Sequence, residues 1–257
     1  MTLIRHSGQH GGPEHRRTEQ EWRQEISQVC KLMWQKDLVA ATDGNVSARL
    51  GPDRFLVTPS GFSKAFIEPE HLLMIGWDAE PVGPRFGVGR SLRVSSEILL
   101  HLEAYRRRPD IAAVVHAHPP TAVALSIAGV SLARCVLPEV VMGLGLIPTT
   151  AYATPASIEG AQVIAGLIES YDALILQRHG SVTVGKTALD AYFKLEKLEH
   201  AAIITRTILQ LGGETPLPPA ETAKLVEWRA ASGLLRGSQA DDLCDVCGVC
   251  HVRPPNS

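Results

Sequence analysis

Apolar and polar positions along the chain switch between a period near 3.6 residues and a period of two, and these switches divide it into helices and strands. Thr18 and Glu21 form a capping-box pair ahead of Trp22, Ile26, Cys30 and Met33, a helical spacing that predicts an N-terminal helix with one buried face. Turn residues in "TDGN" end it. "VSARL" and "RFLVTPS" then flank a Gly-Pro-Asp turn, with "LLMIGWD" beyond, and the three runs predict an antiparallel meander. "SSEILLHLEAYRRRP" predicts a helix with serines at its mouth, arginines in its last turn and a proline to stop it. "IAAVVHAH" follows as an apolar strand. Next come a helix over 121–128, a short strand near "LIPTTAY", a helix opened by Thr154 and Pro155, and a strand "DALILQRHG" that runs to His179, with "SVTVG" as its returning partner. A long helix extends from Thr187 to Gly212 and Gly213, followed by the Pro-broken "ETPLPPA" and one more short helix. Long helices mixed with strands, without a steady βαβα rhythm, predict an antiparallel or mixed sheet with helices packed against it.

Composition narrows the classes. The chain has 257 residues, 45% apolar and 20% charged, enough to bury a sizeable core as one larger domain or two small ones. Residues 1–17, rich in Gly, His and Arg, read as a flexible N-terminal tail, 18–235 as the folded domain, and 236–257 as a Cys-rich C-terminal tail. A net charge of −2 without a long basic block lacks the footprint of a nucleic-acid binder. No apolar run approaches a membrane span, and the first residues lack the apolar centre of a signal peptide, so a cytoplasmic location is expected. Five cysteines, three of them crowded into the last fourteen residues, do not form a secreted disulfide framework.

The chemistry concentrates where strands end. In "AAVVHAHPP" the period of two puts His116 and His118 on one face at the end of a strand, where together they can grip a metal ion. His179, followed by the side-chain-free Gly180, closes a second strand. Three imidazoles with one open position make a catalytic zinc site, although imidazole also suits Mn²⁺, Co²⁺ or Fe²⁺. Glu97, at the start of the helix leading into the histidine strand, is either a fourth ligand or a base beside the metal. Ser95 and Ser96 occupy the mouth of that helix, where free N–H groups and the dipole favour an anion; simple N-capping is the plainer reading. "DGNVSAR" and "TPSG" are further turns able to wrap a phosphate. Lys64 in "GFSKAF" reads as a solvated lysine, and Cys244, Cys247, Cys250 and His251 in "CDVCGVCH" read as a flexible tail or an incidental metal site. An H-x-H cupin would need an all-β chain, which the long capped helices contradict.

Taken in order, Gly44-Asn45-Val46-Ser47, Thr58-Pro59-Ser60-Gly61, Ser95-Ser96-Glu97, His116-Ala117-His118 and His179-Gly180 closely resemble the class II aldolase/adducin family over roughly residues 20–212. The resemblance implies a three-layer αβα sandwich around a central, mostly antiparallel sheet, and a homotetramer with sites between subunits. It implies Zn²⁺ on His116, His118 and His179, with Glu97 beside the metal as ligand or acid/base, and phosphate binding by Asn45, Ser60, Gly61, Ser95 and Ser96. The implied reaction is cleavage of a ketose 1-phosphate to dihydroxyacetone phosphate and an aldehyde, with a Lewis-acid metal stabilising the enediolate and Glu97 carrying the proton. Glutamate after the two serines leans towards aldolases, since family epimerases usually place aspartate there. The tyrosines that complete the fuculose-phosphate enzyme are missing: the last tyrosine is Tyr192, and the segment after the metal strand reads "CVLPEVV". Glu139 in that segment is either a surface or helix-capping carboxylate or a replacement acid/base. Decarboxylation, 4-epimerisation or dehydration of a related sugar phosphate or hydroxy acid is the alternative, because the same enolate is stabilised. The non-catalytic adducin-like scaffold ranks below an enzyme, because the three histidines and Glu97 are all present.

Overall fold

The structure, a computed structural model, describes residues 17–83 and 91–249, so most of the expected N-terminal tail, together with Cys250 and His251, lies outside the described residues. Helix α1 (Glu19–Gln35) begins on the capping box, with the Glu21 N–H donating to Thr18 Oγ1 at 3.2 Å and the Thr18 N–H donating to the Glu21 carboxylate at 2.7 Å. Trp22, Ile26, Cys30 and Met33 form its buried stripe. Burying a side chain such as Ile26 or Met33 contributes about 1.5–3 kcal/mol, which holds α1 on the sheet.

Strands β1 (Asn45–Gly51), β2 (Arg54–Val57) and β3 (Leu73–Ile75) make the meander, with two 3₁₀ turns between β2 and β3. After α2 (Ile98–Arg107) come β4 (Ala113–Ala117), α3 (Pro120–Ile127), α4 (Pro138–Gly143), α5 (Ile158–Gln162), α6 (Ala165–Ile168), β5 (Ala173–Leu176) and β6 (Gly180–Gly185). Helices α7 (Ala188–Gln210), α8 (Pro219–Ala231) and α9 (Gln239–Cys247) complete the described chain. The six strands lie in the order β3-β2-β1-β4-β6-β5, and every neighbouring pair is antiparallel.

Alternation along the strands feeds two cores. Val46, Ala48, Val115 and Ala117 pack on α1 and the first turns of α7, whereas Val57, Val114, Val182 and Val184 pack with side chains of α2, α6, α8 and α9 on the opposite face. The result is an αβα sandwich around an antiparallel sheet. A third cluster joins α3, α4 and α7 to Ala173 and Ile175 at the β5 edge.

Several local features differ from the sequence reading. The expected strand near "LIPTTAY" is one parallel bridge, Thr149 to Ile175. The helix expected at Thr154-Pro155 starts instead at Ile158, because Ser157 supplies the cap by accepting from the Gly160 N–H at 2.9 Å. Residues 239–247, expected as part of a flexible tail, form α9 with Leu243 fully buried. Lys64, expected in solvent, is 1% exposed and donates to the carbonyls of Thr42 and Phe62 at 3.0 and 2.7 Å. Those partners lower the cost of its burial.

Candidate metal centre and active site

Antiparallel pairing carries the three histidines to one end of the sheet. β4 ends at Ala117, and His118 is the next residue, anchored by its N–H on the Leu38 carbonyl at 3.0 Å. β5 ends at Leu176, so His179 sits in the turn before β6 and not in the strand expected to reach it. Arg178 turns the chain there with a left-handed φ of 62°, a conformation that costs a non-glycine residue about 1–2 kcal/mol. The Ser126 hydroxyl holds that turn by accepting from the Arg178 N–H at 3.0 Å.

Each pair of imidazoles has ring centroids 4.9 Å apart, and one ligand nitrogen from each of the three lies within 4.8 Å of the others. His116 is fully buried, and its Nδ1 is 2.9 Å from the Ser181 carbonyl, an acceptor that requires the proton on Nδ1 and leaves the Nε2 lone pair facing His118. His118 places Nδ1 3.4 Å from the Asp43 carboxylate, and its Nε2 is 3.0 Å from His116 Nε2. Burial pushes all three rings towards the neutral form: His116 well below its ordinary value, His118 lowered although Asp43 opposes, and His179 down to about 4 with help from His118. Neutral imidazoles with converging lone pairs and oriented outer nitrogens are the donor set of a divalent transition-metal ion, so these residues fit one. Asp43 belongs to the site too, although in the sequence it reads only as part of the "TDGN" helix stop and the "DGNVSAR" turn, with nothing to pair it with His118.

Gly180 makes the convergence possible. A Cβ on it would stand 2.4 Å from the Ala117 carbonyl oxygen, 2.8 Å from His118 Cδ2 and 3.1 Å from His116 Cε1. Gly44, at φ +74°, has a similar role behind His116, whose carbonyl oxygen would lie 2.9 Å from an added Cβ.

Glu97 enters from the helix layer that His116 faces, at the N-cap of α2, with Oε2 3.8 Å from His116 Nε2 and 3.9 Å from His179 Nε2. Its pKa is raised by burial and partly restored by a hydrogen bond from the Ala156 backbone. A carboxyl beside the triad whose pKa is raised gives up a proton less readily to water than an ordinary carboxylic acid and is placed to exchange one with a group bound at the triad. Asn45 Nδ2 donates to Ser95 Oγ at 3.3 Å, while the buried Asn45 Oδ1 has no partner among the described residues. Exchanging the amide oxygen and nitrogen would put the Ser95 hydroxyl on Oδ1 and leave the NH₂ to a ligand. Asn45, Ser60, Gly61 and Ser95 line one cavity of about 190 Å³ with Glu97 and the histidines. That volume is below the ~300–1,000 Å³ of pockets for drug-sized ligands, so it suits a small substrate. Ser96 lines an adjoining hollow with Glu97, His179 and Gln177. Glu139 is not brought to the histidines within this chain; it lies in the first turn of α4 and lines a separate groove with Phe193, Lys197 and His200.

Fold and site together define an αβα sandwich that carries a three-histidine cluster able to hold a metal ion, and comparison with known proteins places that combination in an enzyme family. Residues 24–205 match the Class II Aldolase and Adducin N-terminal domain family, and the chain belongs to that family. It is 28% identical to the 3-oxo-tetronate 4-phosphate decarboxylase of Escherichia coli K12 over 83% of this chain and 98% of the relative. It is 32% identical to the L-fuculose phosphate aldolase of Methanococcus maripaludis over 69% of this chain and 92% of the relative. The crystal structure of YgbL from Klebsiella pneumoniae, whose description names aldolase, epimerase and decarboxylase together, superposes with a TM-score of 0.70 at 29% identity, covering 81% of this chain and 99% of that one. The relatives thus include both aldolases and decarboxylases. No helix among the described residues is long and apolar enough to cross a membrane.

Proposed function

We propose that the protein breaks a carbon–carbon bond next to a ketone in a small phosphorylated sugar or sugar acid, releasing dihydroxyacetone phosphate, with Glu97 delivering a proton to the carbon left behind. The observation that carries this is the position of the Glu97 carboxylate against two nitrogens of the histidine triad. A divalent ion on His116, His118 and His179, zinc in the first instance, would polarise the ketone oxygen and offset the charge that builds up as the bond breaks. Asn45, Ser60, Gly61, Ser95 and Ser96 bind the phosphate and hold the reacting bond in line, which turns binding energy remote from the bond into rate.

Two leaving groups fit this half-reaction. In a 3-oxo-4-phosphotetronate the bond between the carboxylate and the carbinol carbon breaks, CO₂ leaves, and protonation of that carbon gives dihydroxyacetone phosphate. In a ketose 1-phosphate the bond between carbons 3 and 4 breaks, the 4-hydroxyl loses its proton as an aldehyde forms, and protonation of carbon 3 gives the same product. Decarboxylation is our first reading, because it needs one proton carrier: Glu97 is beside the triad, while Asp43 faces the outer nitrogen of His118. The nearly full-length alignment with the tetronate-phosphate decarboxylase also supports it. Aldol cleavage is the second reading, favoured by the glutamate after Ser95-Ser96 and by the similarity to fuculose-phosphate aldolases. It requires a second acid/base, and Glu139 supplies one only from a neighbouring subunit. Exposed Phe193 beside the Glu139 groove, which Leu137, Val140 and Ile204 also line, gives that region apolar surface that a homotetramer would cover. Incubating the metal-loaded protein with 3-oxo-4-phosphotetronate and with a panel of ketose 1-phosphates tests the assignment. Dihydroxyacetone phosphate with stoichiometric CO₂ supports the first reading, release with an aldehyde supports the second, and release from neither substrate class overturns the proposal.

A further inference from the structure

We propose that Glu199, a carboxylate buried in the middle of α7, is a positioning residue for the metal centre: it holds helix α3, and α3 in turn fixes two of the three histidines. Glu199 is 6% exposed, and its two oxygens accept separately, Oε1 from the Thr121 N–H at 2.8 Å and Oε2 from the Ala122 N–H at 2.9 Å. Thr121 and Ala122 are the second and third residues of α3, a helix with no side-chain cap of its own, because Pro119 stands at the cap position and Pro120 at the first helical position. The first N–H groups of a helix have no partner within it, and Pro120 has none to offer. Glu199 supplies the missing cap from 77 residues further along the chain.

Both ends of α3 reach the triad. At its start only Pro119 and Pro120 separate His118 from Thr121, and each proline has its φ fixed by its ring, so a shift of the amides that Glu199 holds passes to His118 with little slack. In its last turn the Ser126 hydroxyl accepts from the Arg178 N–H and so steadies the turn that presents His179. His116 lies inside β4 and takes its position from the sheet. Ala122 and Leu125 of α3 share a core cluster with Leu198, Ala201 and Ala202 of α7, and these apolar contacts would hold the two helices together without any charge. The carboxylate adds direction. Its two charge-assisted bonds are stronger than those of a neutral cap, its negative charge suits a helix N-terminus, and metal ligands tolerate displacements of only about 0.2 Å. Glu25 provides an internal comparison: it is also buried, accepts from the Leu189 N–H in the first turn of α7 at 3.1 Å and pairs with Arg17, yet it lines neither cavity beside the triad.

The inference rests on the reading of the triad as a metal site, so the test begins with zinc and cobalt uptake by the full wild-type chain, expected at about one ion per chain. Glu199→Gln keeps the size of the side chain but turns an NH₂ group towards one of the two amide N–H groups, and Glu199→Asp keeps the charge but withdraws it by one methylene. Competition with a chromogenic chelator should show zinc affinity about 10–100-fold lower in Glu199→Gln, and the visible absorption of the cobalt-loaded protein should change as His118 and His179 move. Glu199→Asp gives the same direction of change if Glu199→Gln does not fold. Glu25→Gln should lower the Tm while leaving zinc affinity and the cobalt spectrum as in wild type, which separates positioning from general support of the fold. A wild-type chain that takes up neither ion overturns the metal reading and this inference with it. Metal uptake by wild type, with both Glu199 variants matching its affinity and spectrum or with Glu25→Gln losing as much affinity as Glu199→Gln, overturns this inference alone.

Discussion

Replacing Gly180 with alanine probes whether the triad depends on the close approach of β6 to β4. An added Cβ would meet the Ala117 carbonyl oxygen at 2.4 Å and His118 Cδ2 at 2.8 Å, whereas ordinary contact begins at 3.4 Å, so the two strands must separate locally by about 1 Å. Overpacking of this kind costs about 1–3 kcal/mol. For a chain of this size that lowers the Tm by roughly 2–4 °C per kcal/mol. Metal ligands tolerate displacements of only about 0.2 Å, so the separation should weaken metal binding by at least the ~10–100-fold that follows loss of an outer hydrogen-bond partner. Gly51→Ala is the matched control: an added Cβ there meets nothing within 4 Å. Thermal melts of the metal-free proteins and competition titrations with a chromogenic chelator give both quantities. If Gly180→Ala binds metal as tightly as Gly51→Ala, the packing argument fails.

Three further outcomes follow from the site and the fold. Asp43→Asn keeps the size of the side chain facing His118 Nδ1 but removes its charge, so metal affinity should drop about 10–100-fold while the Tm of the metal-free protein barely moves. Acid should destabilise the metal-free fold through His101, whose pKa is pushed down to about 3 by complete burial. Between pH 6.5 and that value the unfolded chain binds a proton that the folded chain does not, so stability falls as pH falls. This one group removes about 2 kcal/mol by pH 5, read as a shift in urea midpoint that His101→Gln should reduce. Glu139→Gln should leave metal content unchanged and lower turnover about 10²-fold or more if a neighbouring subunit brings it to the site, and unchanged turnover would return it to the surface-carboxylate reading.

Much of this architecture is legible in the sequence because its signals are local. The Thr18–Glu21 cap, the meander around Gly-Pro-Asp and the Thr187 start of α7 each rest on a few neighbouring residues, and each forms as expected. The convergence of His116, His118 and His179 was also readable, since one pair follows from strand period and the third lies next to a glycine. What the sequence hides depends on contacts made across the fold. Lys64 looks solvated until the Thr42 and Phe62 carbonyls are found around its ammonium. Asp43 looks like a turn residue until His118 is placed against it. Helix α9 looks like a polar, cysteine-rich tail because its few apolar contacts, Leu243 foremost, have meaning only once α8 and the sheet supply the other half of the core. Ser157 outcompetes Thr154-Pro155 as a helix start because its hydroxyl reaches the Gly160 N–H, a choice between adjacent caps that pattern alone does not rank.

In the proposed reaction Glu97, beside the histidine triad, moves a proton on and off the carbon next to the ketone of dihydroxyacetone phosphate, whichever group has left. Exchange of that hydrogen with D₂O, followed by NMR on dihydroxyacetone phosphate alone, measures the step without reference to CO₂ or aldehyde. Stereospecific exchange of one hydrogen by the metal-loaded protein is expected, abolished by chelation and slowed about 10²–10⁴-fold in Glu97→Gln at unchanged metal content. Exchange that proceeds equally fast in Glu97→Gln, or is absent from folded, metal-loaded wild-type protein, would contradict it.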